Sequence, residues 1–283
     1  MTIPTAVGGR VYAGTDLIAG GISGPNPLLL PVSTAVTTGG TAHTWGSWVE
    51  VTASTTAASQ WLHIVGLSTN SANTVNTSTL LQVGTGSAGS ETALVTFAAG
   101  YRNGSPGSSV AMIANCPCPI PTGTRIAVRA QSVRTSQSVT VAVGTSTYNG
   151  KVSAPIAWGV DTSTSKGITL TAPTGSNATG AWTEITSSSS GAVMALHLGP
   201  QMAGSTATAV QTVDIEIGTG TAGSETVVGS MRMTHGISES LTPHTPVLIP
   251  ALIPAGTRIA ARVTRSDTGA NAPTDLIVHG IPV

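Results

Sequence analysis

Gly84-Thr-Gly-Ser-Ala-Gly-Ser-Glu91 returns later in the chain as Gly218-Thr-Gly-Thr-Ala-Gly-Ser-Glu225, with one change, Ser87 against Thr221. An apolar run leads into each copy, Leu80-Leu-Gln-Val83 and Val213-Asp-Ile-Glu-Ile217. A second phrase follows each one: Ile120-Pro-Thr-Gly-Thr-Arg-Ile-Ala-Val-Arg129, then Ile253-Pro-Ala-Gly-Thr-Arg-Ile-Ala-Ala-Arg262. Gly84 to Gly218, Trp48 to Trp182, Glu50 to Glu184 and His63 to His197 are all 134 positions apart. Arg125 to Arg258 and Arg129 to Arg262 are 133 apart, so one residue is lost between the two phrases and the register otherwise holds. The chain is a tandem duplication of a unit of roughly 120–130 residues, the size of an ordinary domain and far too long for a solenoid repeat.

Both phrases read as strand and turn. The glycine-rich stretch satisfies GxGxxG, but a dinucleotide site needs a helix next and an acid about 20 residues on. Strand-like Ser-Glu-Thr-Val-Val-Gly follows in the second copy, and the first has no acid between Glu91 and Asp161. A glycine-rich turn between strands is therefore expected, with Glu91 and Glu225 accepting hydrogen bonds from the loop or meeting an arginine. Ile-Pro-x-Gly is a tight turn in which proline presets φ and glycine closes. In the strand it feeds, Ile126, Val128 and Ala130 point to one side, and Arg125, Arg129 and Gln131 to the other.

The same pattern runs along the chain. Residues 48–52, 61–65, 80–83, 92–97, 110–113, 124–131 and 139–143 read as short strands separated by Gly, Pro, Ser, Thr and Asn turns. The second copy repeats the order, and no long window carries a helical period. The expected fold is all-β: two tandem antiparallel β-sandwiches, jelly-roll-like, related by internal duplication. Residues 31–150 form the first repeat and 151–283 the second. Residues 1–30, broken by glycine every few positions, form an N-terminal extended arm, read either as a frayed tail or as a segment docking on a neighbour.

Charge is scarce. Only 8 % of residues are charged, with 11 basic against 11 acidic, where a typical soluble domain has about 25 %. That balance gives no electrostatic case for nucleic acid or a membrane surface as partner, and so neutral a surface favours association. No run is long and apolar enough to span a bilayer, and no secretory leader is expected. Cys116 and Cys118, in Cys-Pro-Cys, are too close for an ordinary disulfide and lack redox or zinc spacing; two free thiols are expected.

Eight charged residues sit at matched places: Glu50 and Glu184, Glu91 and Glu225, Arg125 and Arg258, Arg129 and Arg262. They are candidates for specific ion pairs, within a repeat or between subunits, for which the arginine fork is suited. The histidines show no metal-ligand spacing, and His63 and His197 read as hydrogen-bonded structural residues. Asp214, Glu216 and Glu225 leave a calcium site as an alternative that the first copy does not repeat. Trp48 and Trp182 read as core, and Trp45 as a possible exposed platform for a sugar ring. No catalytic, metal or cofactor-binding residue is assigned and no cofactor is expected.

Together, an apolar strand, GTG-AGSE, some 30 residues and IPxGTRIAxR resemble β-sandwich structural proteins of tailed-bacteriophage virions. The resemblance covers both copies and not the arm. It implies a non-enzymatic subunit of tail, collar, baseplate or capsid decoration, located in a virion assembled in the host bacterial cytoplasm. Its partners would be copies of itself, in a cyclic oligomer such as a trimer, and other virion proteins. The alternative is a receptor- or carbohydrate-binding module whose partner is a host-surface glycan.

Overall fold

The computed structural model describes residues 27–29, 34–68, 77–101, 111–132, 135–146, 153–158, 167–173, 175–202, 211–235, 247–266 and 274–283. The rest of the expected arm lies outside these residues. Strands of the first repeat are β1 (Pro27–Leu29), β2 (Thr34–Thr37), β3 (Val49–Thr52), β4 (Ser59–Ser68), β5 (Thr77–Thr85), β6 (Thr92–Tyr101), β7 (Ala111–Ile120), β8 (Ile126–Ser132) and β9 (Ser138–Ser146). Those of the second are β10 (Ile156–Trp158), β11 (Ile168–Leu170), β12 (Thr183–Thr186), β13 (Val193–Met202), β14 (Gln211–Thr219), β15 (Thr226–His235), β16 (Val247–Ile253), β17 (Ile259–Arg265) and β18 (Thr274–Pro282).

The strands form four antiparallel sheets, two from each half of the chain. In the first half β1 and β2 both pair with β9, which continues to β4 and β7, and the facing sheet runs β3-β8-β5-β6. In the second half β10 and β11 both pair with β18, which continues to β13 and β16, and the facing sheet runs β12-β17-β14-β15. Setting β1 aside, β2-β9-β4-β7 over β3-β8-β5-β6 is the eight-strand connectivity of a jelly roll. Every sheet draws all its strands from one side of residue 150, where the duplication divides the chain.

Alternation dictates the cores. Ile126, Val128 and Ala130 of β8 point inward with Leu81, Val83 and Phe97, against Leu62, Ile64, Val139, Val141 and Val143 of the other sheet. Val213, Ile215, Ile217, Leu196, Leu198, Leu276 and Val278 build the second core in the same way. The chain has a single phenylalanine, so these cores are packed from aliphatic chains, each contributing about 1.5–3 kcal/mol when fully buried.

Several strands run beyond their expected ends, β7 among the furthest. β7 continues through Cys116-Pro-Cys-Pro to Ile120 instead of stopping at 113. The prolines, which cannot donate to a ladder, are tolerated because β7 is the outer strand of its sheet. The spacing of two puts Cys116 and Cys118 on the same inward face, where both are free thiols and fully buried.

Candidate functional site: arginine clamps and the junction between repeats

The glycine-rich phrase is the β5–β6 hairpin in the first repeat and the β14–β15 hairpin in the second. Gly86 and Gly89 have φ of 121° and 82°, and Gly220 and Gly223 match them at 120° and 84°. These are left-handed values at which a side chain is strained. Gly84 and Gly218 serve another purpose, because a Cβ on either would sit 2.6 Å from the ring of Trp48 or Trp182. Each tryptophan lies across the outer face of its sheet, half-buried, and not in the core as its sequence suggested.

Arg125 closes this hairpin from the turn before β8. Its Nε donates to Glu50 at 2.7 Å, and its Nη1 to Glu91 at 2.8 Å and to the Gly86 carbonyl at 3.1 Å. The other Glu91 oxygen accepts the Gly89 N–H at 3.0 Å. Arg258 repeats the set with Glu184 at 2.8 Å, Glu225 at 2.8 Å and the Gly220 carbonyl at 3.2 Å. The Glu91 and Glu225 side chains are 2 % and 1 % exposed. Burial raises their carboxyl pKa values, but hydrogen bonds from the arginine and the loop backbone, with the arginine charge, outweigh it. Both therefore lie below the ordinary carboxylate value. Six of the eight matched residues thus form two copies of one ion-pair clamp inside their own repeats.

The remaining pair diverges. Arg262 donates to Glu216 at 2.6 Å and lies 4.4 Å above the Trp182 ring. Arg129 meets no carboxylate among the described residues. It donates to Gln82 at 2.7 Å and sits between Trp48, at 4.4 Å, and Trp45, at 4.8 Å. Trp45 is accordingly no open platform: it is half-buried and packs with Leu80 and Ile277, one residue from each repeat. The three acids weighed for calcium are each taken by a different arginine, Asp214 by Arg232, Glu216 by Arg262 and Glu225 by Arg258.

Around Leu80 the two repeats join, which sequence reasoning did not anticipate. The outer face of β13 and β18 packs against β5 and the outer strand β6. A polar thread crosses the junction. Arg129 donates to Gln82, Gln82 Nε2 donates to Thr96 Oγ1 at 2.9 Å, and the Thr96 backbone N–H donates to His279 Nε2 at 3.2 Å. An N–H on the open side of an outer strand thereby gains an acceptor, which blunts that edge. His197 stands edge-on to Phe97 with centroids 5.4 Å apart and 5.9 Å from the His279 ring.

His197 and His279 are 3 % and 0 % exposed. Neither His197 nitrogen has a hydrogen-bond partner among the described residues, nor does His279 Nδ1. Burial lowers the His197 pKa to about 4; burial and the neighbouring His197 lower His279 to about 3. Both rings are neutral near pH 7. His63, the counterpart of His197, is the bonded histidine expected, held by Asn115 and Ser146 at 2.7 Å each. His197 departs from that expectation because the first repeat covers it. Its match to His63 marked a shared strand position, but nothing local marked the cover.

No family model matches the chain, and no curated protein matches it. Among solved structures, one described as the structure of PNGF-II in a C2 space group aligns with 91 % of this chain at 8 % identity and a TM-score of 0.42. The chain spans 65 % of that structure's length. A likeness at that level carries no argument about this chain, whose reading rests on its own duplicated clamps and buried junction.

Proposed function

We propose that the chain is a non-enzymatic structural subunit of a bacteriophage virion, of tail, collar, baseplate or capsid-decoration type, acting through subunit–subunit assembly. The observation that carries the reading is the junction: one sandwich already docks its outer strand on the outer face of another and buries Leu80, Thr96, His197, Ile277 and His279 there. Sandwiches built to associate side by side suit an assembly role. The scarce charges support it too, since six of the eight matched ones are spent on holding two loops rigid. The resemblance of the two repeated phrases to virion proteins supplies the setting.

The test is the mass of the full chain in solution by light scattering, across concentration. A defined oligomer is expected, and a monomer throughout would overturn the assembly reading. Immunogold labelling of purified virions would address the location, with an unlabelled particle the contrary result.

A further inference from the structure

The contact inside the chain is heterologous. It uses the β5–β6 side of the first repeat and the β13–β18 face of the second. Among the described residues, duplication therefore leaves one of each surface over: the β14–β15 side of the second repeat and the β4–β9 face of the first. We propose that these two surfaces bind each other between chains, so that copies join head to tail and continue the internal contact from chain to chain. The proposal rests on the assembly reading and names its interface.

Two observations favour a second copy as the occupant. First, the surfaces are the counterparts of two that already fit. Ser230 stands where Thr96 does, paired across from Glu216 as Thr96 is from Gln82. His63 stands where His197 does, on the outward side of the middle strand. Second, β15 is the outer strand of its sheet, an open edge as β6 is, although the receiving face carries Gly144 where the internal one has His279.

The open version is also more polar than the closed one. Leu80 is replaced by Asp214, which pairs with Arg232 through two hydrogen bonds of 2.6 and 2.7 Å. On the receiving face Ala142 stands where Ile277 does. A contact of this composition is weaker than the internal one and sensitive to salt, which suits joining after folding. A head-to-tail contact closes into a ring when its rotation allows and otherwise grows as a filament.

The test blocks the two surfaces separately in the full chain. Ala142→Arg obstructs the face, with Thr140→Arg as a second choice if the first lowers the melting temperature. Ser230→Lys, at an exposed position, obstructs the edge. Masses come from light scattering. The expected result is an oligomer for the unaltered chain, a monomer for each blocked chain alone, and a complex of two chains when the blocked forms are mixed. The mixture stops at two because one free edge then meets one free face. An unaltered oligomer that both blocks leave intact would overturn this interface and spare the assembly reading. Two-chain complexes from either blocked form alone would point to a symmetric contact and also overturn it. An unaltered chain that stays monomeric would overturn both.

Discussion

His63 and His197 occupy the same place in two copies of one sandwich, yet one is held by two side-chain hydrogen bonds and the other is buried without any. The Arg125 and Arg258 clamps, by contrast, agree to within 0.1 Å in all three of their contacts. The difference teaches where duplicated sequences are free to part. A loop that folds on itself needs the same partners in each copy. A sheet face answers to whatever lies against it, and among the described residues only one of the two faces has a neighbour. Leu80 and Asp214, or Ile277 and Ala142, show the same division.

Exchanging residues between the repeats should therefore be harmless in one direction and costly in the other. Leu80→Asp, which gives the first repeat the residue of the second, places an unpaired charge in the buried junction. It should cost about 3–5 kcal/mol, read from urea unfolding. Asp214→Leu, the reverse exchange, removes only an exposed pair and should leave the midpoint nearly unchanged. Equal losses from the two would mean that the junction is no more buried than the surface it mirrors.

Acid should find the junction next. His197 and His279 stay neutral in the fold below the ordinary histidine value of 6.5, while the unfolded chain takes up protons. Stability is fully present above pH 6.5 and should fall by about 1.4 kcal/mol per pH unit for each ring. The decline from His197 ends near pH 4 and that from His279 near pH 3. Glu91 and Glu225 add a second loss as the pH drops through their lowered values. His197→Leu should make the slope between pH 6 and 4.5 shallower by one proton. An unchanged slope would place the acid sensitivity elsewhere.

A smaller and symmetric effect should come from Gly84→Ala and Gly218→Ala. The new methyl meets a tryptophan ring at 2.6 Å in either copy, and such overpacking costs about 1–3 kcal/mol. Matching losses in thermal melts are expected, and a loss confined to one copy would break the equivalence of the hairpins. The smallest effect concerns the thiols. Burial, and for Cys116 the nearby Cys118, raises both pKa values, that of Cys118 to about 11. Iodoacetamide at pH 8 should leave the native chain unmodified and label both thiols only in denaturant.

Much of this was legible because it is local. The alternation in 124–131, the positive-φ glycines and the matched Glu–Arg sets lie within turns and ladders whose chemistry is set by neighbouring residues. What could not be read was relational. Trp48 looked like core because it is aromatic and in a strand, but its place is the outer face above a glycine 36 positions away. Trp45 looked exposed because nothing local marked Arg129, Leu80 and Ile277 as the residues that cover it. Arg129 looked like half of an ion pair because Arg262 is one, although Gln82 in the facing strand had already removed the acid. Each misreading depended on which strands and faces touch, and period and spacing do not carry that.

The arginine clamps bear on time as well as on shape. Arg125 ties Glu50, 75 residues earlier, and Glu91, 34 residues earlier, to one guanidinium. Such a three-way closure forms only after strands from most of the repeat are in place, late on the route to the native state. Interactions absent from the transition state slow unfolding without hastening folding. We expect Arg125→Lys to steepen the loss of native chain after a jump into denaturant while the refolding rate holds. A clamp of this kind prolongs the lifetime of the folded sandwich, which is set by the unfolding rate and not by the equilibrium.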